Sequence, residues 1–183
     1  VGAGTSVSLA GNATVHIDDT GLGFAGDEPW SLELWLYVDG TGEDDPRVVF
    51  GKFADCCASP GQHGYQLRFE VGPTPTFQFI RAIAEEIPWT GAARTPPPEP
   101  FRWHHVVTTY EPGPAPQQRL YVDGQLAGVG NELVGTAAND AVFVVGGFVP
   151  GESALIGRID ELSAYDRTLS CRHVTRHYRA ALP

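Results

Sequence analysis

Strict alternation governs the stretch from Ser31 to Val38. Leu32, Leu34, Leu36 and Val38 share one face, and Glu33, Trp35 and Tyr37 share the other. Successive side chains of a strand point to opposite sides, so period two over eight residues predicts a β-strand. Aromatics opposite the leucines predict that both faces are covered, as in two stacked sheets. The stretch from Gly64 to Val71 repeats the pattern, with Tyr65, Leu67, Phe69 and Val71 inward and Gln66, Arg68 and Glu70 outward. Pro73 and Pro75 end it, because proline cannot donate to a ladder.

Further strands are predicted at Thr5 to Leu9, Thr14 to Ile17, Arg47 to Phe53, Thr76 to Ala84 and Arg102 to Glu111. Arg119 to Val122 meets Gln125 to Gly128 through Asp123-Gly124. That dipeptide predicts a two-residue hairpin turn, which needs positive φ at both central positions. Val142 to Val145 and Ser153 to Tyr165 complete the strands, and Glu85 to Pro100 reads as a long loop. The segment from Ser170 to Leu182 reads as one helix, capped by Ser170, with Val174, Tyr178 and Ala181 on its apolar stripe. The expected fold is all-β: a two-sheet antiparallel sandwich, in one domain over residues 1–183, closed by a short C-terminal helix.

Composition narrows the partners. Twelve basic against 22 acidic residues leave a net charge of −10, which disfavours nucleic acid and anionic membrane surfaces. No apolar run reaches the roughly 18 residues of a membrane-spanning helix. The sequence contains no methionine and opens on Val1, so it reads as a piece of a larger protein. Cys56, Cys57 and Cys171 are too few for a disulfide scaffold. They fit a structural role, a vicinal Cys56–Cys57 bridge or a pairing of one of these with Cys171.

Three stretches, in order, resemble one family. They are Ser31-Leu-Glu-Leu-Trp-Leu36, then Trp103-His-His-Val-Val-Thr-Thr-Tyr110 with Arg119-Leu-Tyr-Val-Asp-Gly-Gln125, then Gly157-Arg-Ile-Asp-Glu-Leu-Ser-Ala-Tyr165 with Arg167-Thr-Leu-Ser170. Together they resemble the LamG-like jelly-roll domains (laminin G/pentraxin type) of the concanavalin A-like lectin/glucanase superfamily. The resemblance implies a jelly-roll β-sandwich and a secreted or cell-surface setting. It implies a partner that is a glycan or an extracellular protein. It also implies a structural calcium, held by an aspartate of the last strand against the N-terminal strand, which maps to Asp160, Asn12 and Gly11. The turn Ala10-Gly11-Asn12 lacks an aspartate of its own. The run Glu43-Asp44-Asp45 reads as a solvated turn or a second cation site.

Catalysis is not expected. A retaining glycosidase needs two carboxyls roughly 5–5.5 Å apart, and the glucanases of this superfamily carry an E-x-D-x-x-E strand that is missing here. Glu33 stands alone on its strand, and the adjacent pairs Asp160-Glu161 and Glu85-Glu86 point oppositely. His173 and His177 have the i, i+4 spacing of a zinc pair, but no third ligand is evident and they read as a solvated helix face. His105 reads as a packing histidine. The expected ligand face is the outward side of one sheet, with Arg68, His104, Arg119 and Tyr121 joined by Gln66 and Gln78. Trp89, in the long loop, is either a packing anchor or a ligand platform closing over that face.

Overall fold

The computed structural model describes residues 6–11, 13–18, 20–24, 28–39, 47–54, 63–82, 92–114, 117–131, 139–147 and 154–182. The chain runs β1 (Val7–Ala10), β2 (Val15–Ile17), a short 3-10 turn (Thr20–Leu22), β3 (Trp30–Val38), β4 (Arg47–Ala54), β5 (His63–Glu70) and β6 (Thr76–Ala82). It continues through β7 (Ala93–Thr95), β8 (Trp103–Tyr110), β9 (Gln118–Val122), β10 (Gln125–Gly130), β11 (Phe143–Val145), β12 (Ile156–Tyr165) and α1 (Cys171–Ala180).

These strands form two six-stranded sheets. Sheet A has the order β1-β12-β3-β8-β9-β10 and sheet B the order β2-β11-β4-β5-β6-β7; every ladder is antiparallel. Alternation sends Leu32, Leu34 and Leu36 from sheet A, and Tyr65, Leu67, Phe69, Phe77 and Phe79 from sheet B, into one shared core. Trp30 sits at its centre, fully buried. It stacks on Phe24 at 4.4 Å, lies 4.8 Å from Tyr65 and meets Phe79 edge-on at 5.6 Å. Tyr65 donates its hydroxyl to Leu22 O at 2.8 Å, and burial pushes that hydroxyl well above the ordinary tyrosine range.

The predicted loop from Glu85 to Pro100 contains a strand. β7 pairs with β6 in the register Phe77↔Thr95, Gln78↔Arg94 and Phe79↔Ala93. Three residues followed by a proline run carry too little pattern to mark a strand, and pairing with an existing edge supplies what local preference does not.

The helix lies where sequence places it, and three contacts fix its approach. Ser31 Oγ donates to Arg167 O at 2.8 Å and accepts from Leu169 N at 2.9 Å, while Thr168 Oγ1 donates to Tyr110 O at 3.0 Å. Ser170 caps the first turn by accepting from His173 N. Val174, fully buried, packs on Val107 and Tyr121 of the outer face of sheet A and on Leu169 of the segment that leads into the helix. The β9–β10 turn meets the other flank of the helix. Asp123 and Gly124 have φ of 52° and 76°, as a type I′ turn requires. Thr175 Oγ1 donates to Gly124 O at 2.8 Å, and a Cβ on Gly124 would lie 2.9 Å from the Tyr178 ring.

Candidate functional site

Both sheets turn polar groups outward. On sheet B, Arg68, Gln78 and Arg94 stand opposite one another on β5, β6 and β7. They lie on the side away from Leu67, Phe69, Phe77 and Phe79. Arg94 Nε donates to Gln78 Oε1 at 3.0 Å, and Gln78 Nε2 donates to Glu70 Oε2 at 2.7 Å. Arg68 Nη2 makes an ion pair with the same carboxylate oxygen. Arg68 and Gln78 are buried, Glu70 is half-buried and Arg94 is exposed. The row is thus a pre-ordered set of planar donors and acceptors whose exposed end reaches solvent.

On sheet A the outer face carries a different cluster. Glu33, on β3, is almost buried and accepts from three elements. His105 Nε2 of β8 lies 2.6 Å from Oε1, the Tyr165 hydroxyl of β12 lies 2.6 Å from Oε2, and His177 Nδ1 of α1 lies 3.0 Å from both oxygens. Burial pushes the Glu33 carboxyl up, but the three hydrogen bonds and the His105 ring outweigh it and hold the group at about 2. The Tyr165 hydroxyl is pushed up to about 12, first by burial and then by its bond to Glu33. A cleft of about 440 Å³ opens beside this cluster, between β3, β12 and the last turn of α1.

A family model of the laminin G type, described as the concanavalin A-like lectin/glucanases superfamily, matches residues 9–175 of the 183. The chain belongs to this superfamily. Comparison with curated protein sequences finds no match. Among solved structures, the chain is similar to a heptameric SAP-like pentraxin from Limulus polyphemus (16% identity, TM-score 0.65, covering 93% of this chain and 79% of that one). It is also similar to domain 4 of AbnA, a GH43 extracellular arabinanase from Geobacillus stearothermophilus, solved with arabinotriose (17% identity, TM-score 0.65, covering 96% and 77%). A third similar structure is the binding domain of botulinum neurotoxin serotype D (16% identity, TM-score 0.65), where the match spans 96% of this chain but 42% of that one. At these identities the likeness establishes the shared jelly-roll fold.

In this lectin-like sandwich the expected ligand residues do not share a face. Arg68, with Gln66 and Gln78, lies on sheet B, whereas His104, Arg119 and Tyr121 lie on sheet A. Tyr121 is not outward in solvent: it is 4% exposed, because α1 covers it through Val174. Burial pushes its hydroxyl above the ordinary tyrosine value. Arg119 forms an ion pair with Glu111 at 3.2 Å. His104 is 2% exposed, with Nδ1 at 2.9 Å from Asp123 Oδ2 and Nε2 at 2.8 Å from Glu99 O, so neither nitrogen is left for a ligand. Trp89, Cys56, Cys57, Asn12 and the Glu43-Asp44-Asp45 run lie outside the described residues. Cys171 is an exposed free thiol.

Of the residues that the resemblance assigns to calcium, Gly11 and Asp160 lie apart. Gly11 N donates to Leu155 O at 3.2 Å, which places it five residues of β12 from Asp160, about 16 Å at about 3.3 Å per residue. Asp160 Oδ1 instead accepts from Glu161 N at 2.9 Å. Among the described residues no group of three His, Cys, Asp or Glu side chains could hold a metal ion.

Sequence reasoning missed the Glu33 cluster. His177 is half-buried and its ring bonds Glu33, whereas His173 stays on the exposed face. Glu33 does not stand alone, because its partners come from strands and a helix far along the chain. The only local signal is a carboxylate opposite leucines on a strand whose two faces both need cover. The cluster is also unsuited to acid catalysis. A glycosidase requires one carboxyl with a raised pKa, and Glu33 is held ionised with both oxygens engaged.

Proposed function

We propose that the chain is a non-catalytic module that binds carbohydrate on the outer face of sheet B. The observation that carries this reading is the row Arg68–Gln78–Arg94, joined to Glu70, on three adjacent strands. Sugar hydroxyls are recognised by planar polar groups already held in place, since an ordered donor loses little freedom on binding. Arg94 and Glu70 reach solvent, while Arg68 and Gln78 brace them from the buried side. The similarity to an arabinanase domain solved with arabinotriose supports the ligand class, and its extracellular source supports action outside the cell.

The test is calorimetric titration with a panel of neutral oligosaccharides that includes arabinotriose. Arg94→Ala is expected to weaken the best ligand about tenfold, the loss of one charge-assisted hydrogen bond. Absence of binding across the panel, or equal affinity in the variant, overturns the reading.

One observation favours a second reading, adhesion to a protein. Arg158, Tyr37 and Trp103 stand in register across β12, β3 and β8, beyond the reach of α1. The Arg158 guanidinium lies 4.7 Å over the Tyr37 ring, and Tyr37 meets Trp103 at 5.6 Å. Phe101 nearby is 67% exposed at φ 64°. Trp, Tyr and Arg are the residues that dominate protein interfaces. Glycan binding that survives Trp103→Ala separates the two readings.

A further inference from the structure

The cleft beside Glu33 has a chemistry of its own. Its floor and walls include Glu33, Trp35, His105, Glu161, Tyr165 and His177, and about 440 Å³ is within the range of small-molecule sites. The hydroxyl donors lining it are already engaged. Tyr165 donates to Glu33 at 2.6 Å, and Ser163 donates to Glu161 O at 3.3 Å.

What remains is largely acceptors. Glu33 is an ionised carboxylate and can only accept, so the protons on His105 Nε2 and His177 Nδ1 are the ones pointing at it. In the neutral rings the other nitrogens are then acceptors. His105 is 2% exposed, and its Nδ1 has no hydrogen-bond partner. Glu161 adds a second carboxylate. It sits at φ 52° where the β12–β3 register shifts between Asp160 and Ser163, and it lines the cleft from there. Ala180 and Ala181 bring the carbonyl end of α1 to the same opening, the negative end of the helix. Trp35 and Tyr165 contribute aromatic rings, which attract cations. Arg167 is exposed and lies 5.9 Å from the Tyr165 ring, Arg179 is exposed on the last turn of α1, and among the described residues no arginine lines the cleft.

We propose that this cleft is a second binding site, separate from sheet B, that takes an organic ammonium ion on a short alkyl stem. The ammonium supplies the donors and positive charge that the two carboxylates, the imidazoles and the helix end lack, and the stem lies along Trp35.

The test is an NMR titration of the full chain with n-butylammonium chloride, at matched ionic strength, with n-butanol as the neutral counterpart. Saturable shifts at the Trp35 indole and His177 are expected with the ammonium and not with the alcohol. Glu161→Gln is expected to weaken binding about fivefold. Ala180→Lys, on the exposed helix end, is expected to block it by placing its own ammonium in the cleft. Equal shifts with butanol, no shifts with the ammonium, or unchanged affinity in both variants overturns the proposal. The readout does not involve Arg94, so its failure is distinguishable from failure of the carbohydrate reading.

Discussion

On the outer face of sheet A, Glu33 gathers His105, Tyr165 and His177 from three separate elements. On the outer face of sheet B, Arg68, Glu70, Gln78 and Arg94 bond to one another along and across neighbouring strands. The first arrangement ties a helix to a sheet, and its charge is enclosed. The second joins strands that the ladder already holds, and it leaves Glu70 and Arg94 in contact with water. Similar residue types therefore do different work. A polar group bonded across elements fastens the fold whatever else it meets, whereas one bonded sideways on a single sheet can face a ligand without that duty.

The sharpest way to break this contrast is to remove the Glu33 carboxylate. Glu33→Ala leaves two imidazoles and a phenol without their acceptor, and is expected to cost about 3 kcal/mol of stability by chemical denaturation. Loss below about 0.5 kcal/mol would show that the cluster does not hold the helix. Acid titration probes the same bond more gently. The ordinary value for Glu33 is 4.5 and its folded value is about 2, so its stabilisation is complete above 4.5. It is lost as pH falls from 4.5 toward 2, because the unfolded chain takes up the proton first. Glu33→Gln is expected to flatten that stretch of the stability profile. An unchanged profile would place the acid dependence elsewhere.

Next in size is the turn that braces the helix from its other flank. Gly124 combines a φ of 76° with a Cβ position 2.9 Å from Tyr178. Gly124→Ala is expected to cost about 1–2 kcal/mol, from backbone strain and displacement of the ring. A cost near zero in thermal melts would mean that α1 does not lean on this turn.

The two faces also differ in how far the sequence exposes them. Alternation within single strands is a local property, so Leu32 through Val38 and Tyr65 through Phe69 announce their inward faces, and Asp123-Gly124 announces its turn. The outward position of Arg68 and Gln78 follows from the same pattern. Which sheet each strand joins is not local. His104, Arg119 and Tyr121 read as sharing a face with Arg68 because nothing in their spacing says that β8 pairs with β3 and β9 with β8 while β5 pairs with β4. The burial of Tyr121 under Val174 and the joining of Glu33 to His177 depend on where the helix returns, 144 residues from that carboxylate. The fold class was therefore readable, but the sheet A cluster was not.

The smallest expected effect on stability is the most telling about sheet B. Arg94 is exposed and bonds sideways to Gln78, on a short edge strand of three residues. Arg94→Ala is expected to change stability by no more than about 0.5 kcal/mol, the ordinary range for surface positions. If it also weakens oligosaccharide binding about tenfold, the guanidinium is ordered for a ligand and not for the fold. A stability loss as large as that of Glu33→Ala would erase the distinction, because both faces would then be fastening the sandwich. The side chain at 94 thus decides whether the row across β5, β6 and β7 is a recognition surface or one more brace.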